Sequence, residues 1–202
     1  MGGTLRYIVA MDIEHHIFIS EWAKAYPDAM IIGPEGLPEK RAKQRDERIG
    51  AEDFAVVFSA ANKASIKISD EFATDFEYEY VDGHSNLELV FCYKPDKILI
   101  EADLLFNLPA VEQYSRVPES EQPQSGFLDR LFTSIQSTEG DVKWMQRMNW
   151  YLIAKDRKSY NQSMSTIASW DFDTIIPCHG DTIEKNGKTI FEKIFGPNIK
   201  AA

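Results

Sequence analysis

The chain contains four histidines, and each of them follows a predicted β-strand in a short polar loop. His15 and His16 come after the first predicted strand. His84 and His179 follow later strands, and Asp103 ends a further apolar strand. Neutral imidazole and carboxylate groups are the usual protein ligands of zinc and of non-heme iron. Because rigid strands aim the side chains of their end loops at one point, the sequence predicts that these five residues converge on a metal site.

The elements that would position the first two histidines lie at the start of the chain. The apolar run LRYIVAM (5–11) is typical of a buried strand. A helix is predicted after it, because large apolar residues recur at helical spacing until Pro27 stops the pattern. The run AMIIGP (29–34) predicts a second buried strand. Strand, helix and strand in this order indicate a βαβ unit.

Further strands are predicted in the middle of the chain, at 54–59, 65–69, 76–82, 87–93 and 97–103. The turn sequence KPDK (94–97) makes a hairpin of the last two. Residues 174–181 predict a strand that runs into a polar loop, followed by a closing helix at 187–195. This mixed order predicts an α/β or α+β layered fold in which helices cover the faces of the sheets.

Two polar segments of the chain lack the apolar pattern of the predicted strands and helices. Segment 39–48 mixes both charges, which favours an exposed helix or loop. Segment 115–126 is rich in Pro, Ser and Gln and is interpreted as a flexible insertion within a single domain that spans 1–202.

Helices are predicted between 127 and 170. Within them, the helical spacing of four large apolar residues predicts a stripe that faces the core, made of Trp144, Met148, Tyr151 and Leu152.

Composition and charge narrow the classes of function. The 202 residues carry a formal net charge of −10, which disfavours nucleic acid as a partner because phosphate backbones are also negative. Only two cysteines are present, Cys92 and Cys178, so both are expected to be reduced. No apolar run is long enough for a membrane span, and the N-terminal residues lack the layout of a signal peptide. We therefore expect a cytoplasmic protein that contacts neither membranes nor nucleic acid.

Three segments resemble the metal-binding motifs of the metallo-β-lactamase superfamily. GHSNLELVF (83–91), ILIEADLLF (98–106) and IIPCHGD (175–181) look like its second, third and fourth motifs. The chain is most similar to the subfamily of unknown function called DUF4336, through YIV…HHIF within 7–18, AYPDA at 25–29 and WDFD…HG within 170–180. The resemblance covers essentially the whole chain and implies an αββα sandwich.

The first motif of the family departs from its usual pattern in this chain. The family's first two histidines fall on Met11 and Ile13, which do not bind a hard or borderline cation. The family's aspartate and last histidine fall on His15 and His16. The resemblance thus implies one metal ion rather than two, held by His15, His16, Asp103 and His179. His84 would lie nearby, as a further ligand or as a holder of metal-bound water. A shifted alignment would instead recruit Asp12 or Glu14 as a carboxylate ligand.

A second departure concerns the N-terminal half of the fold. Members of the family have several strands before the first histidine loop, whereas this chain reaches that loop by residue 15. The first half-sheet is therefore expected to be reduced, either missing, shortened or supplied by a partner chain. An exposed sheet edge would favour a homodimer.

The resemblance and the ligand set together imply a metal-dependent hydrolase, with zinc as the expected metal and iron as the alternative. Asp103 would bind the metal and orient an attacking water, and the substrate would be a small ester, thioester, lactone or amide. Two other interpretations remain open: a non-catalytic metal-binding or interaction protein, and an iron-containing oxidative variant. Cys178, beside His179, is interpreted as a small buried residue, with a thiolate ligand as the alternative.

Overall fold

Three parallel strands form the first sheet of this protein. The computed structural model describes residues 3–122 and 126–202. The strands pair in chain order and are β1 (Tyr7–Val9), β2 (Met30–Pro34) and β3 (Val56–Phe58). Helices α1 (Ile19–Ala25) and α2 (Leu37–Lys43) connect them. The βαβ unit predicted at the start of the chain is confirmed.

Four strands form the second sheet, in the order β4 (Phe76–Val81), β5 (Glu88–Tyr93), β6 (Ile98–Ile100) and β7 (Thr174–Ile176). Antiparallel pairing joins β4 to β5 and β5 to β6, which confirms the predicted hairpin at 94–97. β6 and β7 are parallel. Consequently β4, β6 and β7 run in one direction, and their carboxyl ends lie at the same edge of the sheet.

The remaining helices are α3 (Asp70–Asp75), α4 (Phe127–Ile135), α5 (Lys143–Met148), α6 (Arg157–Ser169) and α7 (Gly187–Ile199). A π-helical turn at Asn149–Ile153 continues α5. Asp156 caps α6 by accepting hydrogen bonds from the backbone N–H groups of Lys158 and Ser159, which would otherwise lack partners at the helix start.

The two sheets pack face to face around an aromatic core. Leu89 and Phe91 on one face of β5 contact this core, to which Ile32 and Phe58 of the first sheet also belong. Val90 and its neighbours on the opposite face of β5 pack instead against α5, α6 and α7. β5 is therefore buried on both faces, which explains the continuous apolar run of its sequence.

The outer face of the first sheet is covered by α1 and α2. Ile8 and Ile31 pack there against Ile19 and Leu37. Together with the helices on the second sheet, this gives four layers in the order α, β, β, α. The predicted αββα architecture with a reduced first sheet is confirmed, since within the described residues that sheet has three short strands.

Segment 65–69 does not form the strand that its alternating pattern predicted. Ile68 is buried and Ile66 is partly buried against the core between the sheets, so the alternation reflects one-sided packing of irregular chain. Ser69 then caps α3 by accepting a hydrogen bond from the backbone N–H of Phe72 at 3.0 Å. The hydrogen bonds of the serine cap and of the helix after it therefore replace those that a strand would make with a neighbouring strand.

The apolar stripe predicted to face the core lies instead largely at the surface, so that prediction was wrong. Trp144, Tyr151 and Leu152 are exposed by 62%, 71% and 64%. Met145 and Asn149 occupy the buried face of this helical segment, with Met145 exposed by only 1%. The guanidinium of Arg147 lies 4.8 Å from the centre of the Trp144 ring and shields part of it from water.

Residues 123–125, which belong to the predicted insertion at 115–126, lie outside the described residues. In the part of the chain that the structure describes, no helix combines the length and the apolar character needed to cross a membrane.

The approach between Gly83 and the start of α6 leaves no room for a side chain. A Cβ at Gly83 would lie 2.5 Å from the carbonyl oxygen of Asp156 and from the backbone nitrogen of Tyr160. We expect Gly83→Ala to lower the free energy of unfolding by about 2 kcal/mol, because backbone atoms must move apart. Denaturant unfolding followed by circular dichroism measures this change.

Gly196→Ala is the matched control, because a Cβ at Gly196 would meet nothing within 4 Å. It should leave the stability unchanged or slightly higher, since alanine favours helix. Equal stability of the two variants would contradict the close packing of Gly83.

Candidate metal centre

The loops that follow β1, β4, β6 and β7 meet at one edge of the second sheet. The loop after β1 is attached to this edge by two backbone hydrogen bonds. The N–H of Leu89 donates to the carbonyl of Met11 at 2.6 Å, and the N–H of Ile13 donates to the carbonyl of Asn86 at 3.1 Å. These hydrogen bonds therefore place the loop after β1 at the edge of the second sheet where β4, β6 and β7 end.

Four side chains from these loops form a group that can hold a metal ion: His15, Asp103, Cys178 and His179. Each offers one ligand atom, and these atoms all lie within 4.8 Å of one another. His179 Nε2 is 3.2 Å from Asp103 Oδ1, and His15 Nε2 is 3.8 Å from Cys178 Sγ. Tetrahedral zinc would set such N–O and N–S distances at about 3.3 and 3.6 Å. These two distances are therefore close to those of donors that share a single ion.

A buried carboxylate fixes the ring of His15. Asp12 is fully buried, and its Oδ2 lies 2.8 Å from His15 Nδ1. Its Oδ1 accepts hydrogen bonds from the backbone N–H groups of Glu14 and His15, at 2.8 and 2.7 Å. This arrangement leaves His15 Nε2 directed toward the group, as in the carboxylate–histidine pairs that orient metal ligands.

Asp103 is held from two sides. The Asn86 amide donates to Asp103 Oδ2 at 2.6 Å, which leaves Oδ1 for the group of donors. The buried Glu88 carboxylate accepts hydrogen bonds from the backbone N–H groups of Ala102 and Asp103, at 2.8 and 2.9 Å. Glu88 thus fixes the turn in which Asp103 lies, and it acts through the backbone without reaching the donor atoms itself.

A tight turn places His179. Gly180 has a φ of +108°, and a Cβ there would lie 2.1 Å from the carbonyl oxygen of Asn107. The N–H of Asn107 donates to the His179 carbonyl, and the N–H of Asp181 donates to the Asn107 carbonyl, both at 3.0 Å. Only glycine fits this approach, so the backbone of residue 107 and the loop that carries His179 are fixed to each other.

The group lies in a negative environment. Burial, together with the charge of Asp12, raises the pKa of Asp103. Cys178 is an exposed residue, but the protein atoms around its sulfur partly desolvate the thiol, and this desolvation together with the neighbouring carboxylates, Asp103 first among them, raises its pKa. Burial also raises the pKa values of Glu88 and Glu101. A cation bound by the group would oppose the pKa shifts of Asp103 and Cys178, because it favours the deprotonated forms of its ligands.

His16, predicted to be a ligand, is not part of the group. Arg41 approaches it from α2: Nη1 donates to the His16 carbonyl at 2.7 Å and lies 3.4 Å from its Nδ1. Burial and the charges of Lys40 and Arg41 lower the pKa of His16. The arginine is itself buried and pairs with Glu52, which corrects the prediction that segment 39–48 is simply exposed.

His84 lies deeper than the group and is not part of it. Its Nδ1 accepts a hydrogen bond from the N–H of Asn86 at 3.1 Å, and its ring stacks on Tyr160 with 6.2 Å between the ring centres. Burial lowers the pKa of His84 to about 4, so the ring is neutral near pH 7. Among the described residues its Nε2 has no hydrogen-bond partner and lies 3.9 Å from Glu88 Oε2. His84 supports the loop that carries Asn86.

The residues that replace the family's first two histidines pack into the cores. Met11 contacts the core between the sheets, and Ile13 contacts the core under α1. The two carboxylates that a shifted alignment would recruit are engaged elsewhere. Asp12 uses both oxygens on the loop that carries His15, and Glu14 pairs with Lys40 at 2.8 Å.

Cys178 was interpreted as a small buried residue, and that interpretation was wrong. The residue is exposed, and its sulfur lies beside His15 Nε2 and 4.0 Å from Asp103 Oδ1. The alternative interpretation, a thiolate ligand, agrees with this position. Its place directly before His179 in the loop was the only signal for it in the sequence.

Comparisons with known proteins identify the fold. No family model and no curated protein matches the chain. Rubredoxin oxygen:oxidoreductase from Desulfovibrio gigas matches with a TM-score of 0.56 at 12% identity, over 96% of this chain and 44% of that one. The flavodiiron protein from Giardia intestinalis matches with a TM-score of 0.52 at 14% identity, over 94% of this chain and 42% of that one.

A metallo-β-lactamase from Hirschia baltica matches with a TM-score of 0.49 at 10% identity, over 96% of this chain and 68% of that one. This chain spans less than half of the length of the Desulfovibrio and Giardia proteins. The Desulfovibrio and Giardia matches, with TM-scores of 0.56 and 0.52, show the fold alone at these identities. The protein has a mixed α/β metallo-β-lactamase-like fold with two sheets, of which the first is small.

The composition of the donor group can be tested by metal content. We expect His179→Ala and Asp103→Ala to retain no zinc when they are dialysed against a buffer that fixes the free zinc at a low concentration, because each variant lacks one donor. His16→Ala should keep it, since His16 contacts Arg41 instead. Elemental analysis of the purified variants measures the stoichiometry, and circular dichroism verifies folding. Zinc retained by both of the first two variants, or lost only from the third, would reverse the assignment.

The role of Asp12 can be separated from that of a nearby carboxylate. Asp12→Asn should weaken zinc binding by about ten- to a hundredfold, because the amide no longer orients and polarises His15 as a carboxylate does. Glu14→Gln is the matched control, because Glu14 pairs with Lys40 away from the group. Competition with a chromogenic zinc chelator measures both affinities. Equal affinities would contradict the orienting role.

Proposed function

We propose that this protein is a metal-dependent hydrolase of a small ester, thioester, lactone or amide, with zinc bound by His15, Asp103 and His179 of the four-donor group whose remaining member is Cys178. The observation that carries the proposal is the convergence of these four donors at strand ends, within 4.8 Å of one another, on a metallo-β-lactamase-like fold. We also propose membership of the DUF4336 subfamily, on the resemblances within 7–18, 25–29 and 170–180.

The donor types favour zinc. Two imidazoles, a carboxylate and a thiol combine borderline and soft donors, a mixture that suits zinc better than magnesium or calcium. With an open coordination position, a bound zinc ion would lower the pKa of a coordinated water toward about 7 and polarise a substrate carbonyl. An iron-containing oxidative variant is the alternative in metal identity, and colour or iron in the purified protein would separate the two.

The remaining steps depend on the chain's own residues. Asp12 holds His15 in one orientation, so that its Nε2 is available to a ligand. Asn86 occupies Asp103 Oδ2, so that Oδ1 can bind the ion and orient an attacking water. The side chains of His15 and His179 are exposed by 40% and 43%, and a small substrate therefore has access from solvent.

Cys178 decides between this function and a second one. All four donors together would fill the coordination sphere of tetrahedral zinc, as in structural sites. Three of them would leave a position for water, as in catalytic sites. The position of Cys178 Sγ, 3.8 Å from His15 Nε2, favours a non-catalytic metal-binding protein as the second candidate.

Hydrolysis of p-nitrophenyl acetate tests the proposal. The zinc-loaded protein should release p-nitrophenol, and dialysis against a chelator should return the rate to background. His179→Ala should lower kcat/KM by about a hundredfold or more, because the ion that stabilises the transition state is lost. Cys178→Ala should keep both zinc and activity, because three donors bind a catalytic zinc ion. Activity that survives chelation would overturn the proposal, and complete absence of activity with stoichiometric zinc would favour the non-catalytic protein.

A further inference from the structure

A cavity of about 510 Å³ lies beside β1, and its lining includes His15, one of the four donors of the candidate metal centre. Its lining is mainly apolar and includes Tyr7, Val9, His15, Phe18 and Trp22. Small-molecule sites are typically clefts of about 300–1,000 Å³ with such a lining and a few polar groups. Its size and composition are therefore those of a ligand site.

The reduced first sheet explains why this cavity exists. Within the described residues β1 pairs only with β2, so the other edge of β1 is uncovered. The loop before α1 and the first turns of α1 form the opposite wall. There Phe18 and Trp22 are exposed by 59% and 49%, large aromatic surfaces that a bound apolar group would cover.

His15 connects the cavity to the metal-binding group. It lines the cavity and also supplies one of the four donor atoms. The ring centres of His15 and His179 are 5.2 Å apart, and the ring centre of Phe106 lies 4.6 Å from that of His179. The donor group therefore has aromatic surface on its His179 side as well as the apolar cavity on its His15 side.

We propose that this cavity binds an apolar acyl or aryl group of the substrate, with the scissile carbonyl placed at the donor group. The inference rests on the proposed hydrolase function and names its substrate class: esters or thioesters of apolar acids. A strand from a second copy is a less suitable occupant. β1 has only three residues, so its free edge offers few backbone groups for pairing with another chain.

Binding can be tested without relying on hydrolysis. The neutral apolar fluorophore N-phenyl-1-naphthylamine should bind the native protein with increased fluorescence. Trp22→Ala and Phe18→Ala should each weaken this binding by about fivefold or more, because each removes half-exposed aromatic surface from the cavity wall. Trp144→Ala is the matched control, since Trp144 is also exposed but lies on α5, outside the cavity lining.

The substrate class is tested with p-nitrophenyl acetate, butyrate and octanoate. The native protein should prefer the longer chains in kcat/KM, and Trp22→Ala should reduce this preference by about tenfold. Trp144→Ala should hydrolyse all three esters at the native rate, because Trp144 lies outside the cavity lining. Fluorophore binding that depends on Trp22 but comes without ester hydrolysis would sink the proposed function and leave the cavity as an apolar binding site.

Two results would overturn the inference. The first is fluorophore binding that is equally weakened, or equally unaffected, in the Trp22 and Trp144 variants. The second is a stable dimer by light scattering that Trp22→Ala dissociates, with no fluorophore binding to the native protein, because a second copy would then occupy the groove. Circular dichroism of each variant verifies that the fold is retained.

Discussion

The buried carboxylate of Asp12 organises the edge of the molecule at which the candidate centre lies. It accepts two backbone N–H groups of its own loop and the ring of His15, so it defines the loop and the ligand at once. Burying a carboxylate without partners would be costly, and these three contacts are what make its position tolerable. The loop in turn is attached to the second sheet through Met11 and Ile13, whose apolar side chains enter the cores on either side.

This arrangement explains how much of the centre could be predicted from the sequence. Strand ends are visible as apolar runs that stop at polar residues, and this was enough to place Asp103, His15 and His179 together. The direction of each side chain within its loop is not visible in this way. His15 and His16 are adjacent, yet one is turned toward Asp12 and the other toward Arg41. That choice depends on a buried arginine from α2, whose charged neighbours gave the segment the appearance of an exposed helix.

The fold was predicted more completely than the centre, for a related reason. β5 and the βαβ unit are visible in the sequence as strong apolar patterns. Burial of one face of a strand selects apolar residues at every second position, and burial of both faces selects them at every position. Weaker patterns led to two wrong predictions. The alternation at 65–69 comes from irregular chain that is packed on one side. The helical stripe at Trp144 comes from a face that is largely exposed to solvent and partly covered by Arg147. Short apolar patterns do not reveal which side the core is on.

The donors of the candidate centre are widely separated along the chain, because His15, Asp103 and the Cys178–His179 pair come from its beginning, middle and end. An ion bound by all of them would act as a cross-link that closes two long loops. Such a cross-link removes conformations from the unfolded chain, so metal affinity and folding stability become thermodynamically linked. The two sheets, which meet at their shared core and through two backbone hydrogen bonds at their edge, would then also be joined at that edge by coordination.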